Sequence, residues 1–561
     1  RTIRGKSMRG RQVFMDSLVA HGVDAIFGNP GTTENPLLDS LADYPQVQYY
    51  TALHEGVAVG AAKGYAQASG KAGVVNLHVA PGLGNGIGMI YGALKGSTPM
   101  IITAGQQDTR LRLREPLLSH DLVAMAAPVT KWSAEPRNAE EMAATMRRAF
   151  RIAVEAPAGP VFIALPVDVM EQETELGAEA PDGLHTHPQA QGSGVAAAVT
   201  ALLASSSPAI IAGDDVAAAG ASGELVALAE RLGAPVWHEP LRSQSAIPSR
   251  HPSNQGRIPL ESATVRKALA GHDLLLLIGA NLIEELWFDP GPLLPEAATV
   301  VHLCESPDRL AFNHRADIGL VGDLRDAMQR IAAQFAELGG DAARALAQAR
   351  NEALLSAQQA RQEAATEAMS KIWDVRPMTP RRALHEISNA LPQEAIVVDE
   401  TITGFLEVAA LFDFRGPGDF FSGRGGGIGQ GIAAALGVQV AQRNRPVVAL
   451  SGDGSAMYSI QALWTAAHCS LPVIFVILSN REYRVLKLNL DAYRHRFNAE
   501  SNRPYPHMDL LNPTLGFVEM ARGMGVEGEQ VSEPEALTAA LRRALEAGQP
   551  YLIDVIVSGT Q

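Results

Sequence analysis

Cysteine is scarce in this chain: Cys304 and Cys469 are the only two in 561 residues. Two distant thiols in apolar surroundings cannot form a disulfide framework, so they read as reduced core residues of a cytoplasmic protein. Long apolar runs are missing as well. No stretch approaches the ~20 residues needed to cross a bilayer, and residues 274–280 read as a buried strand. The basic start, residues 1–10, lacks the apolar segment of a secretory signal, and Met8 is the expected natural start. Positive charge is in deficit: 46 Lys and Arg face 60 Asp and Glu, a formal net charge of -14. No nucleic-acid partner is expected, because phosphate neutralisation needs clustered cations. Neither glycine-rich run, 82–88 or 423–431, follows the Gly-x-Gly-x-x-Gly dinucleotide pattern in a strand–turn–helix setting.

What is present is an alternation of apolar runs with longer Ala-rich helical patterns. Strands are predicted at 25–28, 74–78, 100–104, 161–165, 209–212, 274–279, 299–303, 395–398, 447–451, 473–478 and 551–557. That alternation predicts an α/β fold of parallel sheets with helices on both faces. The length calls for several such domains. Residues 171–194, rich in Gly, Pro, His and Glu, read as one linker. A second ends near 377–380, after a polar helical run at 342–369. The chain is therefore divided into 1–185, 186–365 and 366–561. The outer segments echo each other. Gly60-Ala61-Ala62 and Gly64 lead to the strand at 74–78 and a glycine-rich turn at 82–86. Gly431, Ala433-Ala434-Ala435 and Gly437 lead to the strand at 447–451 and the turn Gly452-Asp453-Gly454. A duplicated domain explains this, as does chance similarity of Ala/Gly-rich helices.

The strongest chemical signal is Gly452-Asp453-Gly454-Ser455, then a predicted helix at 457–468, a strand, and Ser479-Asn480-Arg481-Glu482-Tyr483. Asp453 and Asn480 each leave a strand at its carboxyl end, where open α/β sheets bind ligands. The glycines let the backbone approach a phosphate, and a following helix offers it an N-terminus. A carboxylate, an amide oxygen, a carbonyl and diphosphate oxygens make the octahedral shell that Mg2+ prefers.

This signature resembles that of the thiamine-diphosphate-dependent enzymes. The resemblance implies three doubly wound parallel-sheet domains, which bind pyrimidine, lie centrally, and bind diphosphate. It assigns the metal to Asp453, Asn480 and the carbonyl of Glu482; the family often has two consecutive Asn, and here the first is Ser479. Thiamine chemistry also needs a buried glutamate beside the cofactor's pyrimidine ring. Glu55 fits, heading an apolar helix with no other charge until Lys63. A plain helix N-terminal charge is the alternative for that residue. By position, Ile428 props the cofactor, Gly426 accepts from its amino group, and Thr403, Gly454 and Ser455 serve the diphosphate.

The resemblance covers nearly the whole chain and looks closest to the benzoylformate decarboxylase branch. It is carried by Phe27-Gly28-Asn29-Pro30-Gly31-Thr32-Thr33-Glu34, by Asn76-Leu77-His78, by Thr103-Ala104-Gly105-Gln106-Gln107 and by Tyr458-Ser459-Ile460-Gln461. It implies non-oxidative decarboxylation of a 2-oxo acid to an aldehyde, with Glu55, His78 and Thr32 as catalytic residues. Thr32 stands where that branch has a serine. Leu286 replaces its second catalytic histidine, and a leucine cannot relay a proton. Val485 and Leu486 narrow the substrate pocket. Arg484 and Lys487 could face an anionic substrate or be solvated surface charge, which is the reading favoured for Lys487. Arg424 is expected to bind a substrate carboxylate. Carboligation of the acetolactate synthase type, or acyl-thioester lysis, is the alternative activity. No FAD is expected, since residues 208–322 hold no phosphate-cradling glycine pattern. The resemblance further implies a homodimer at least, and a homotetramer by preference, with sites between chains. The partners are then a small 2-oxo acid or aldehyde, with no membrane.

Overall fold

The computed structural model describes residues 7–179, 188–280, 282–499 and 501–559. The start of the chain, residues 180–187 of the first expected linker, and Asn281 lie outside the described residues. Three six-stranded sheets account for the fold. The apolar runs read as strands all lie in them, because a strand covered on both faces is apolar throughout.

In the first sheet the spatial order is Gln48–Thr51, Ala25–Gly28, Gly73–Leu77, Met100–Gln106, Pro160–Pro166 and Trp132–Ala134, all parallel. Counted along the chain, that order is 2-1-3-4-6-5. The sheet of the last segment runs Phe420–Ser422, Ile396–Glu400, Val447–Gly452, Val473–Ser479, Tyr551–Ile556 and Glu527–Val531. Its order is again 2-1-3-4-6-5, and its pairings are parallel from Ile396–Glu400 onward. The shared order supports duplication over chance similarity. The middle sheet differs: Asn254–Arg257, Val236–His238, Pro208–Ala212, Leu274–Ile278, Thr299–Cys304 and Ile318–Val321, an order of 3-2-1-4-5-6.

By packing, the chain forms two units. One comprises Arg1–Leu184, Val375–Phe405 and Ser422–Gln561; the other comprises His185–Asp374 and Leu406–Phe421. The boundary expected at 365 falls inside the helix Leu324–Lys371, which bends at Gly340 (φ 54). The polar run at 342–369 is helical as expected and largely exposed.

The two echoing helices, Glu55–Ser69 and Gln430–Ala441, cross at glycine notches. A Cβ at Gly60 would sit 2.7 Å from that of Ala433, and one at Gly64 would land on the carbonyl of Ala434. On the other helix, a Cβ at Gly437 would land on the carbonyl of Ala61. Lys63, 1% exposed, donates to Gln430 across the crossing. The Ala and Gly of the echo are thus packing residues that bring two backbones together.

Two local expectations change. Residues 82–86 are not a turn: they lie within the helix Val79–Lys95. Their glycines serve close packing, since a Cβ at Gly82 would stand 3.2 Å from Glu55 Oε1 and one at Gly86 3.3 Å from Leu77. The helix predicted at 457–468 forms only over Ala462–His468, and a separate short helix, Asp453–Ala456, precedes it.

The crossing yields a first prediction. Gly437→Ala should destabilise the protein by about 1–3 kcal/mol or more, because backbone cannot yield as a side chain does. Urea denaturation of the variant against the parent measures it. An alanine at Gly22, which has open space despite a φ of 75, should cost less.

Candidate active site

The strands Val447–Gly452 and Val473–Ser479 are neighbours, with Gly452 opposite Leu478. Their carboxyl ends deliver Asp453 and Asn480 to one place. Asp453 is buried and accepts from the N–H of Gly454 at 2.7 Å and of Arg481 at 2.6 Å. Asn480 accepts from the N–H of Glu482 at 3.1 Å. Burial pushes the Asp453 carboxyl up to about 6; the N–H donors oppose the rise, and the nearby charge of Asp554 adds to it.

A cavity of about 310 Å³ opens over these residues. Asp453, Asn480 and Glu482 line it, as do Gly454, Ser455 and Thr403. Ile428, Val485 and Leu486 supply apolar wall. Beside Thr403, Ile402 lines the same cavity with a φ of 56, a strained conformation for a β-branched residue. Gly426 does not line it; it lies at the exposed tip of a loop, with a φ of 73 that glycine adopts freely.

The sequence reading missed what fixes that loop. Glu400 accepts from the N–H groups of Gly429 and Gln430, both at 2.9 Å, and of Gly431 at 3.0 Å. Burial pushes its carboxyl up to about 7, while these donors and Lys63 favour the ionised form. The clamp anchors the helix start immediately after Ile428. Its only sequence signal is an acidic residue ending an apolar strand.

A second cluster surrounds Glu55, which is 7% exposed at the first position of its helix. Asn85 donates to its Oε2 at 3.0 Å and Asn29 to its Oε1 at 3.3 Å. Next to it, Glu34 is buried and accepts from the N–H groups of Gly31 and Gly105, each at 2.8 Å. Its Oε2 also lies 2.8 Å from His78 Nδ1. Thr33 donates to Glu34 at 2.8 Å, whereas Thr32 is exposed and makes no such contact among the described residues. A Cβ at Gly31 would strike the His78 ring, so glycine there gives the imidazole its place. Glu34 and Thr33 stood within a quoted motif but were not singled out.

Glu55, His78 and Thr32 do not line the cavity over Asp453 among the described residues. One chain therefore carries a glutamate–histidine cluster and a carboxylate–amide cavity that are separate. Leu286 belongs to the other unit and is 54% exposed. Arg424 is 4% exposed and lies outside the cavity lining, so the carboxylate contact expected of it is not formed at that cavity. Lys487 is not solvated surface charge: it pairs with Glu482, and with Asp509 at 2.6 Å.

The donor set suits a metal–diphosphate group. Asp453 and Asn480 offer hard oxygens, and no group of three or more His, Cys, Asp or Glu suited to a metal occurs among the described residues. Mg2+ binds in this manner, through one or two protein oxygens with substrate phosphates completing the shell. Glycine at 454 keeps the cradle clear, since a Cβ there would meet the Tyr483 ring at 2.5 Å.

Comparison with known proteins agrees on a diphosphate-bearing cofactor. The thiamine pyrophosphate enzyme N-terminal TPP binding domain matches residues 8–125, the central domain 195–331, and the C-terminal TPP binding domain 403–555. The chain is 36% identical to benzoylformate decarboxylase of Pseudomonas aeruginosa, over 95% of this chain and 96% of that one. It is 29% identical to a probable acetolactate synthase large subunit of Methanocaldococcus jannaschii, over 98% and 92%. The solved structure of a thiamine diphosphate-dependent 4-hydroxybenzoylformate decarboxylase from Rhodococcus jostii superposes with a TM-score of 0.84 at 30% identity, covering 98% of this chain and 99% of that one. This protein belongs to the thiamine pyrophosphate enzymes. No helix among the described residues is long and apolar enough to cross a membrane.

The raised Asp453 carboxyl sets a pH dependence. A proton there competes with any cation below about 6, so thiamine diphosphate binding measured with Mg2+ present should weaken about tenfold per pH unit below that value and level off above it. Calorimetric titration with thiamine diphosphate and Mg2+ across pH 5–8 measures this, and Asp453→Asn should abolish the pH step together with tight binding.

Proposed function

We propose that the protein is a non-oxidative 2-oxo acid decarboxylase that releases an aldehyde, using thiamine diphosphate with Mg2+ in the cytoplasm. The observation that carries this reading is the His78–Glu34 pair, 2.8 Å apart beside Glu55. Aldehyde release requires protonation of carbon after CO2 leaves. A buried carboxylate on Nδ1 orients the ring and leaves Nε2 to hold and move that proton.

When bound, thiamine diphosphate supplies a nucleophilic carbon and an electron sink for the bond that breaks. The chain's residues fit around it. Glu55, held by the amides of Asn29 and Asn85, would bind the pyrimidine ring. Asp453, Asn480 and the carbonyl of Glu482 would hold Mg2+. Thr403, Gly454 and Ser455 would take the diphosphate, and Ile428 would support the rings. Val485 and Leu486 would exclude water from the reacting carbon. Because Glu55 and Asp453 sit in separate clusters of one chain, we further propose that each site is completed by two chains, in a homodimer or a tetramer built from it.

A second reading is carboligation. Leu286 is apolar where a second proton-relaying histidine is expected, and slower protonation leaves time for an acceptor carbonyl to react. The match to acetolactate synthases points the same way.

Two measurements test the proposal. CO2 and aldehyde formation from a panel of 2-oxo acids, with thiamine diphosphate and Mg2+, should fall about 10²–10⁴-fold in Glu55→Gln. Carbon–carbon coupling products without free aldehyde would favour carboligation. Co-expressed Glu55→Gln and Asp453→Asn chains, each inactive alone, should together recover about a quarter of parental activity, since half of randomly paired dimers regain one of two sites. No recovery would overturn the shared site.

A further inference from the structure

We infer that Arg484 tunes the pocket toward 2-oxo acids bearing a second, distal carboxylate. This rests on the decarboxylase reading and names its substrate class. Three cations stood as candidates near the site, and the structure separates them. Lys487 is neutralised by Glu482 and Asp509. Arg424 is buried away from the cavity lining. Arg484 is the one Lys or Arg among the described residues that line the cavity, alongside Val485 and Leu486.

Its electrostatic surroundings are incomplete. Arg484 approaches Glu482 Oε1 only to 3.9 Å, beyond hydrogen-bonding distance, and the other oxygen of Glu482 is engaged by Lys487. Arg484 Nε is buried with no hydrogen-bond partner among the described residues. A buried, unmatched N–H costs free energy until an acceptor arrives. The position is itself unfavourable for a cation: Arg484 opens the helix Arg484–Arg496, whose first turn has no acidic residue. The helix dipole repels positive charge there and welcomes it in the last turn, where Arg494, His495 and Arg496 lie. A residue that pays both costs while facing a cavity is suited to an anion supplied from outside the chain.

The neighbours of Arg484 indicate which anion. The diphosphate end has its own provision in Asp453, Asn480, Thr403 and Ser455. Val485 and Leu486 form an apolar wall next to the guanidinium, which suits a short aliphatic stem ending in a carboxylate. A planar guanidinium binds that group through paired hydrogen bonds.

The test compares 2-oxoglutarate with 2-oxopentanoate, which differ by a carboxylate in place of a methyl group. The holoenzyme should favour the diacid by about tenfold or more in kcat/KM, the effect of one charge-assisted hydrogen-bond pair. Arg484→Gln should erase the preference by raising KM for the diacid, with KM for the monoacid and thiamine diphosphate affinity within about twofold of the parent. Arg484→Lys should restore only part of it. A parental ratio near one overturns the inference. So does an Arg484→Gln variant that keeps the ratio but loses about tenfold in thiamine diphosphate affinity, which would make Arg484 a diphosphate ligand. If no acid of the wider 2-oxo acid panel is decarboxylated, the proposed function fails; if others are turned over but not these two, it stands, and in both cases the pocket is tested by calorimetry on the holoenzyme. Glutarate binding that vanishes in Arg484→Gln, with no pentanoate binding, sustains the anion site; no glutarate binding overturns it.

Discussion

The crossing of the helices Glu55–Ser69 and Gln430–Ala441 is the contact on which the site depends. One helix begins with the glutamate that would face the pyrimidine ring. The other begins just after Ile428, which lines the diphosphate cavity. Glycine at 60, 64 and 437 removes the side chains that would hold the two backbones apart. Such interlock fixes angle and register together, because interiors pack like crystals and leave no slack. The buried charges at the crossing add specificity. Lys63 donates to Gln430, and Glu400 takes three N–H groups from the start of the same helix. Lys63 also favours the ionised form of Glu400, so the two buried charges at the crossing support each other.

Duplication explains why the chemistry lies where it does. In each outer sheet the third strand along the chain is central, and its carboxyl end delivers a candidate site residue: His78 directly after Gly73–Leu77, and Asp453 directly after Val447–Gly452. The first strand of each sheet leads into the loop with the supporting groups, Glu34 in one and Thr403 in the other. Parallel sheets gather ligand-binding residues at these ends by construction. One copy carries a glutamate–histidine cluster and the other an oxygen-lined cradle, so the end of the corresponding strand holds an imidazole in one case and a carboxylate in the other.

This arrangement was legible in the sequence to different depths. Central strands stood out because both faces are covered. Short edge strands such as Gln48–Thr51, Trp132–Ala134 and Asn254–Arg257 did not, because a strand with an exposed side has no apolar run to read. Asp453 and Asn480 were readable because one helix and one strand separate them, a spacing local enough to carry meaning. Glu34 was not: its partners Gly105 and His78 lie 71 and 44 residues away, and only the folded sheet brings them together. The glycines at 82 and 86 misled for a related reason. Alone they signal a turn; beside Glu55 and Leu77 they are the only residues small enough for a helix to pass. Lys487 looked like surface charge until Asp509, far along the chain, closed on it.

Ser479 shows how a departure from a family pattern can keep its physics. It stands where related chains often have the first of two asparagines. Its hydroxyl donates to Asp554 at 2.5 Å, and Gln530 donates to the same carboxylate at 2.7 Å. Asp554 is 1% exposed, and its charge adds to the upward push on Asp453. That charge disfavours ionisation of Asp453 while no cation is present. A divalent cation on the open side of Asp453 would reverse that sign, since each negative charge then attracts it. The hydrogen bonds from Ser479 and Gln530 hold the Asp554 carboxylate in place. The Asp554 charge behind Asp453 thus works against an ionised Asp453 without a cation and in favour of a bound one, which is consistent with the Mg2+ of the proposed function.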